Sequence, residues 1–376
     1  MNQTSENRNV QFLSIEKNSI DVENTISFLK SIFSHPMSNE VWDWEFNTFP
    51  NETVLTIIKA NNNTVGTQFM LPVPLNINGI ETLSGKCENT YLNSEYKGTG
   101  VFDKLFNYAV ECSVNKGMKA LWAFTPAIKV YGEKFGFTVF EDIMYNFSSR
   151  IDKPTMGYFE KFSQNKLMNT VKYSYYYSIY KTACAKRDFN LFKQKAKYNK
   201  VIEQYKILDQ VNDFLEIDEF YIQLRLQYKN LIHIEIKEPY FNWRIGKNIN
   251  LSYIKKFFYK NGTLQGYYIV ALNSNTEASI TEFSHLNELT SNVMITNLLN
   301  EFSKLGVKNY NYFGNIENKI NEANFNLFKN FGGKIQLNKS MPFVMKQIPD
   351  LNSDSANLNI SKNWYLNGMW TEGFKY

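Results

Sequence analysis

The apolar positions change period along the chain, and each change marks an element. Residues 10–17 (VQFLSIEK) and Thr53 to Lys59 alternate as half-buried strands do. The spacing predicts two more strands, one over residues 67–75 (TQFMLPVPL) and one reaching Asn89, with the hairpin dipeptide Asn78-Gly79 between them. From Phe102 the period becomes helical. Phe102, Leu105, Phe106, Ala109 and Val110 fall at i, i+3, i+4, i+7 and i+8, and Lys116-Gly117 ends that helix. A strand at Ala120 to Phe124, a short helix to Phe135 and strands from Thr138 to Phe147 complete an α/β order.

The order recurs. Trp44-Glu45-Phe46 is answered by Trp243-Arg244-Ile245, and the following glycines, Gly66 and Gly266, stand 22 and 23 residues beyond their tryptophans. Lys116 to Phe124 is answered by Leu305 to Phe313, and Glu133 to Phe137 by Phe328 to Gly333. Four anchors in one order indicate an internal repeat. The expected division is therefore a first domain at 1–151, a helical, Tyr- and Lys-rich connector at 152–198, a second domain at 199–349 and an aromatic tail at 350–376.

Composition narrows the class. A chain of 376 residues with 43% hydrophobic and 20% charged residues is globular and long enough for two cores. Net charge is +5, but the basic residues read as scattered along the sequence, so no nucleic-acid partner is expected. The abundance of Phe, Tyr, Asn and Lys is what an AT-rich genome produces by itself, so the aromatic count carries little functional weight. The polar N-terminus and the absence of an apolar run of about 18 residues predict a cytoplasmic protein without a membrane span. Cys87, Cys112 and Cys184 are too few and too dispersed for a disulfide framework. His35, His233 and His285 have no metal-ligand spacing, so no metal is expected.

The chemistry concentrates at Leu92-Asn93-Ser94-Glu95-Tyr96-Lys97-Gly98-Thr99-Gly100-Val101-Phe102. This stretch joins a strand to an amphipathic helix, and its glycines let the backbone turn sharply and present N–H groups at a helix N-terminus, a cradle for a diphosphate. Upstream, two-residue alternation puts Ser84, Lys86, Glu88 and Thr90 on one strand face, with Cys87 on the other. Downstream stands Ala127-x-x-x-Tyr131-x-x-x-x-Gly136-Phe137.

Together these segments resemble the two signatures of the GNAT acetyltransferases, over residues 1–150. Lys97 stands where the family has Arg or Gln, and Phe102 replaces a small residue. The resemblance implies an α/β fold of two GNAT-like domains, each a mixed sheet flanked by helices, joined by the helical connector. It implies acyl-CoA as cosubstrate, held by Lys97, Gly98, Thr99, Gly100, Val101 and Phe102. Leu92 would lie where two strands splay and the pantetheine arm adds to the sheet edge. Tyr131 takes the place of the acid that protonates the leaving thiolate; the competing reading is a packing aromatic. Glu88 is the candidate base, with a water chain or a substrate-orienting carboxylate as alternatives. A covalent Cys87 intermediate is disfavoured, because no histidine is near in sequence to activate it.

The second copy is degenerate. After the strand Ala278 to Phe283 the chain reads His285-Leu286-Asn287-Glu288-Leu289-Thr290-Ser291, without a glycine. It is expected to be either structural or the far wall of an acceptor site, with Glu282, His285, Trp364 and Trp370 as acceptor contacts. The tail's tryptophans have a competing role in closing a core. The whole chain resembles the double-GNAT N-acyltransferases of surface-polysaccharide clusters, through Tyr96 to Phe102, Phe241 to Ile245 and Asn363 to Gly373. That resemblance implies a nucleotide-linked amino sugar as acceptor, such as a dTDP-3-amino-3,6-dideoxyhexose. Two alternatives are an aminoacyl-tRNA-dependent transferase on peptidoglycan precursors and a non-catalytic CoA-binding interaction protein.

Overall fold

The computed structural model describes residues 10–16, 19–32, 37–151, 153–161, 164–348 and 357–371. In chain order the strands are β1 (Val10–Ser14), β2 (Val54–Ala60), β3 (Asn63–Ile77), β4 (Ile80–Leu92), β5 (Ala120–Phe124), β6 (Thr138–Phe140), β7 (Met144–Ser148), β8 (Lys206–Leu208), β9 (Ile232–Ile234), β10 (Ser252–Lys260), β11 (Thr263–Ser274), β12 (Glu277–His285), β13 (Asn309–Asn315), β14 (Lys334–Leu337) and β15 (Phe343–Gln347). They form two mixed sheets flanked by helices, the α/β class expected.

The chain divides into two compact units, and neither is a continuous segment. Unit 1 holds residues 1–141, 230–249 and 340–363; unit 2 holds 142–229, 250–339 and 364–376. This corrects the continuous boundaries drawn from the sequence. The reason is two short strands that look alike in sequence and end in different sheets. β7, which closes the first repeat in sequence, pairs with β13 and β14 in unit 2. β15, which closes the second, pairs with β5 and β6 in unit 1. The expected connector belongs to unit 2, as the helices Met156–Glu160 and Lys166–Ile202.

Unit 1 is built on the sheet β1-β2-β3-β4-β5-β15-β6, with β9 pairing to β3. The long β3–β4 hairpin is fully buried along most of β3. The helix Val101–Asn115 packs Leu105, Phe106 and Ala109 against the sheet, in the amphipathic register expected from Phe102 to Val110. Two single-turn π-helices, Asp43–Asn47 and Asn242–Gly246, carry the repeated tryptophans. Trp44 and Trp243 stack at 5.4 Å, and each indole N–H donates to the other's backbone carbonyl, at 3.1 and 2.8 Å. The repeat read from the sequence is thus a physical pair inside this unit.

Unit 2 is built on the sheet β14-β7-β13-β12-β11-β10-β8, covered by the helix Glu288–Leu305 and part of Lys166–Ile202. Of the tail, residues 357–371 are described; Glu372 and Gly373 lie outside the described residues.

Candidate active site

β4 and β5 are parallel, but their pairing covers only Ser84 to Lys86 against Ala120 to Trp122. Beyond Lys86, β4 stays on β3 and its paired register with β5 ends, so the two strands part. A bulge helps them part. Glu88 faces Phe69 and Tyr91 faces Thr67, so Asn89 and Thr90 together oppose Gln68, and Asn89 adopts φ 47°. The edge of β4 from Glu88 to Leu92 can thus take an extended ligand through backbone hydrogen bonds.

The bulge corrects the face assignment drawn from alternation. An extra residue shifts the phase by one, so Tyr91 joins the face of Glu88 and Thr90 moves to the face of Cys87. Thr90 there meets Tyr131, with Tyr131 Oη 3.3 Å from Thr90 Oγ1. Thr90 donates its own proton to Gln68 Oε1 at 2.8 Å, so Tyr131 is the donor to Thr90. Tyr131 is buried on the π-turn Val130–Lys134, edge-on to Phe106 and Phe137. Burial is the main cause that pushes its phenol well above the ordinary value, so it stays protonated. Burial likewise raises the Cys87 thiol, which keeps it from acting as a thiolate.

Past Leu92 a 3₁₀ turn, Ser94–Tyr96, leads to Lys97, Gly98, Thr99 and Gly100, all four exposed. Gly98 and Gly100 both have φ 77°, a left-handed conformation that any side chain would strain. Gly100 is the N-cap of the helix Val101–Asn115 and offers no side-chain cap. The N–H groups of the first turn have no intrahelical acceptor and sit at the positive end of a four-turn helix. Val101 is half-buried, and so is Phe102, whose ring packs on Phe106 and Phe135 at 6.4 and 5.6 Å. The residue that departs from the family pattern is therefore an anchor between helix and π-turn.

On the other face of β4 lies a charged group that the sequence did not assemble. Lys86 Nζ is 2.5 Å from Glu88 Oε1; Lys86 is buried and Glu88 is partly open. Lys86 also lies over the Trp122 ring at 5.7 Å. Glu45 and Arg244, from the two π-turns, are buried beside them. Burial first, then the charge of Glu88, raises the Glu45 carboxyl to about 8, with Lys86 and Asn89 opposing. Among the described residues Glu45 Oε2 accepts no hydrogen bond. Glu45 and Arg244 were visible only as repeat anchors flanking tryptophans.

The second splay, in unit 2, is occupied by the chain itself. β12 pairs in parallel with β13 from Glu277 to Ile280 and then continues to His285, again past a bulge. Into the opening runs Trp364 to Trp370. Asn315 and Asn321 donate to the carbonyls of Trp364 and Leu366, at 2.9 and 2.8 Å. Gly368 lies so close to β12 that a Cβ there would sit 2.8 Å from Thr281 Cα. Glu282 accepts from Ser284 and Tyr365 at Oε1 and from Asn367 at Oε2, at 2.5, 2.7 and 2.8 Å. His285 is buried against Asn324 at 3.1 Å, and burial lowers its ring to about 4. Trp364 and Trp370 are buried edge to face at 5.7 Å. Glu282, Trp364 and Trp370 come together as the interior that holds the tail, whereas His285 alternates to the other face of β12 beside Phe283 and Asn324; all four are buried, which corrects their reading as cleft-lining groups. The helix that follows is capped by Asn287, whose side chain accepts from Thr290 N at 2.9 Å. The donors that unit 1 leaves for a ligand are partly satisfied here by a side chain.

Residues 16–140 match the acetyltransferase (GNAT) domain family model. Similar solved structures share the fold at low identity. A GCN5-related N-acetyltransferase from Kribbella flavida has TM-score 0.57 and 10% identity, over 90% of this chain and 72% of that one. A tandem GNAT protein from the clavulanic acid biosynthesis pathway has TM-score 0.52 and 11% identity, over 90% and 98%. Saccharomyces cerevisiae N-myristoyltransferase with bound myristoyl-CoA has TM-score 0.52 and 9% identity, over 92% and 83%. No curated protein sequence matches. The match over residues 16–140 supports an N-acyltransferase, and the two-sheet architecture is the fold of two GNAT-like units. Acyl-CoA is the cosubstrate of that class. Among the described residues no helix is long and apolar enough to cross a membrane, and no group of three or more His, Cys, Asp or Glu is placed to hold a metal ion.

Proposed function

We propose that the protein transfers an acyl group from acyl-CoA to the amine of a nucleotide-linked amino sugar, in one step within a ternary complex, in the cytoplasm, for surface-polysaccharide synthesis. The observation that carries the reading is the contrast between the splays. In one, β4 is unpaired with β5 beyond Lys86 among the described residues and the glycine turn has no side-chain cap; the other is filled by the protein's own tail.

In this reading the N–H groups from Gly98 to Phe102 hold the CoA diphosphate, with Lys97 as a point charge. The pantetheine arm lies along β4 at Leu92, and a strand N–H there polarises the thioester oxygen. The amine attacks the carbonyl carbon, the C–N bond forms and the C–S bond breaks. Glu88 takes the amine proton, and Tyr131 gives its proton to the departing sulfur. The base and the acid reach the strand from its two faces.

A cavity of about 770 Å³ in unit 1 supports the acceptor class. Its lining includes edges of the buried Trp42 and Trp44, while Glu23, Glu40 and Asp43 offer carboxylates to an ammonium group and Lys247 offers a cation to a phosphate. The test is a thiol-release screen with acetyl-CoA and longer acyl-CoAs against dTDP- and UDP-linked amino sugars, free amino sugars and lysine peptides. Turnover with a nucleotide-linked amino sugar and intersecting initial-rate lines are expected. Turnover with lysine peptides alone, or thiol release with none of these amines, would overturn the acceptor assignment.

A further inference from the structure

The net charge of the protein is not evenly distributed. The helix Lys166–Ile202 carries Lys166, Lys172, Lys181, Lys186, Arg187, Lys193, Lys195, Lys197 and Lys200 against one acid, Asp188. That is a net +8 on 37 residues, where the whole chain carries +5, so the remaining residues sum to −3. Charges that look scattered in sequence lie along one rod of about 55 Å.

The rod has two sides. Tyr173, Tyr177, Cys184 and Leu191 are half-buried and Tyr198 is buried, which defines the inward side. At 100° per residue the opposite side carries Leu167, Val171, Tyr175 and Ile179 at four-residue steps, exposed by 76, 59, 62 and 47%. Phe189 and Phe192, exposed by 64 and 69%, continue that side toward Lys186, Lys193, Lys197 and Lys200. Aliphatic and aromatic side chains at this exposure are not what water favours, and a lysine row alone is.

We propose that the outward side of the helix Lys166–Ile202 docks on an anionic bilayer surface. The apolar ladder enters the headgroup boundary, the tyrosines sit at the interface and the lysines extend to lipid phosphates. Charge selects this occupant. A second copy carries the same net +8 on this helix and supplies no anions to Lys186, Lys193, Lys197 and Lys200, and a nucleic acid gives no reason for the Leu167, Val171 and Ile179 ladder.

The experiment sediments the full chain with vesicles of phosphatidylcholine and phosphatidylglycerol, or of phosphatidylcholine alone, at rising salt. Binding to the anionic vesicles only, weakening with salt, is expected. Each lysine near such a surface contributes about fivefold in partitioning, so the double variant Lys186→Glu/Lys193→Glu should lose at least about tenfold. The double variant Val171→Glu/Ile179→Glu should lose binding as well. Both replace exposed side chains, so thermal melting and thiol release in solution should match the parent. Four results would overturn the proposal: no binding to anionic vesicles, equal binding to both vesicle types, a concentration-dependent dimer that the Val171→Glu/Ile179→Glu variant abolishes, or tighter retention by nucleic acid than by vesicles.

Discussion

Glu45 is the residue whose environment asks for an explanation. A buried carboxyl with an unbonded oxygen costs stability, and the cost has a defined pH dependence. Its folded-state value of about 8 lies above the ordinary 4.5, so below about pH 4.5 the group is protonated in both states and contributes nothing. Between about 4.5 and 8 the unfolded chain releases a proton that the folded protein keeps. Stability therefore falls across that window, by about 5 kcal/mol at most, and is level above it. Glu45→Gln should remove this slope and melt higher than the parent at pH 9. The same ionisation lies beside Glu88. A charged Glu45 adds a negative charge near the positive charge that develops on the attacking amine, so the rate of acyl transfer should rise through a limb near pH 8 that Glu45→Gln abolishes. An unchanged limb in the variant would make Glu45 irrelevant to catalysis. Tyr131→Phe is the companion test. It keeps the ring packed on Phe106 and Phe137 and deletes the donor to Thr90, so a loss of about 10²–10⁴ in kcat is expected if the phenol is the acid. A change below about threefold, with chemistry rate-limiting, would leave it a packing residue. Tyr131 was legible because its spacing from the glycine turn is local. The face of Thr90 was not, because a bulge leaves no mark in an alternating pattern, and Arg244 was not, because its turn lies about 160 residues from β4.

At the scale of elements, one supersecondary unit appears in two states, and the helix start decides between them. Gly100 leaves the first-turn donors open, whereas Asn287 satisfies one of them with its own side chain. The glycine turn was readable in sequence, and so was its loss in the second copy. That the tail fills the vacated splay was not, because Trp364 to Trp370 has no period that points to a destination. Gly100→Glu should abolish acyl-CoA binding in a calorimetric titration, by backbone strain at φ 77° and by a carboxylate at the anion site, while the helix remains held by Leu105 and Phe106. Unchanged affinity in a folded Gly100→Glu protein would falsify the cradle. Gly368→Ala tests the plug. The added methyl meets backbone atoms of Thr281, which cannot rotate away, so overpacking of about 1–3 kcal/mol is expected in unit 2. The melting transition of that unit should fall while acyl-CoA affinity stays that of the parent.

For the molecule as a whole, the interleaved segments carry a consequence for stoichiometry. Each unit takes strands from both halves of the sequence, so neither half is a foldable piece, and the internal repeat misled the boundaries while it identified the fold. The exchange could not be read from the chain because β7 (MYNFS) and β15 (FVMKQ) are five-residue strands of ordinary composition. Two copies of one architecture would ordinarily suggest two acyl-CoA sites. Of the two splays, the one at β4 is unpaired with β5 beyond Lys86 among the described residues, and the other is already engaged by Trp364 to Trp370 through Asn315, Asn321 and Glu282. The tail is covalently attached, so it competes for that edge at an effective concentration on the order of millimolar without any loss to bulk solution. One acyl-CoA per chain is therefore expected in calorimetry or native mass spectrometry. The variant Glu282→Gln, which keeps the shape of the carboxyl and weakens its bonds to Tyr365 and Asn367, should lower the stability of unit 2 without adding a second site. Two equivalents bound by the parent protein would show that the tail yields to ligand, and the asymmetry between the units would then not set the stoichiometry.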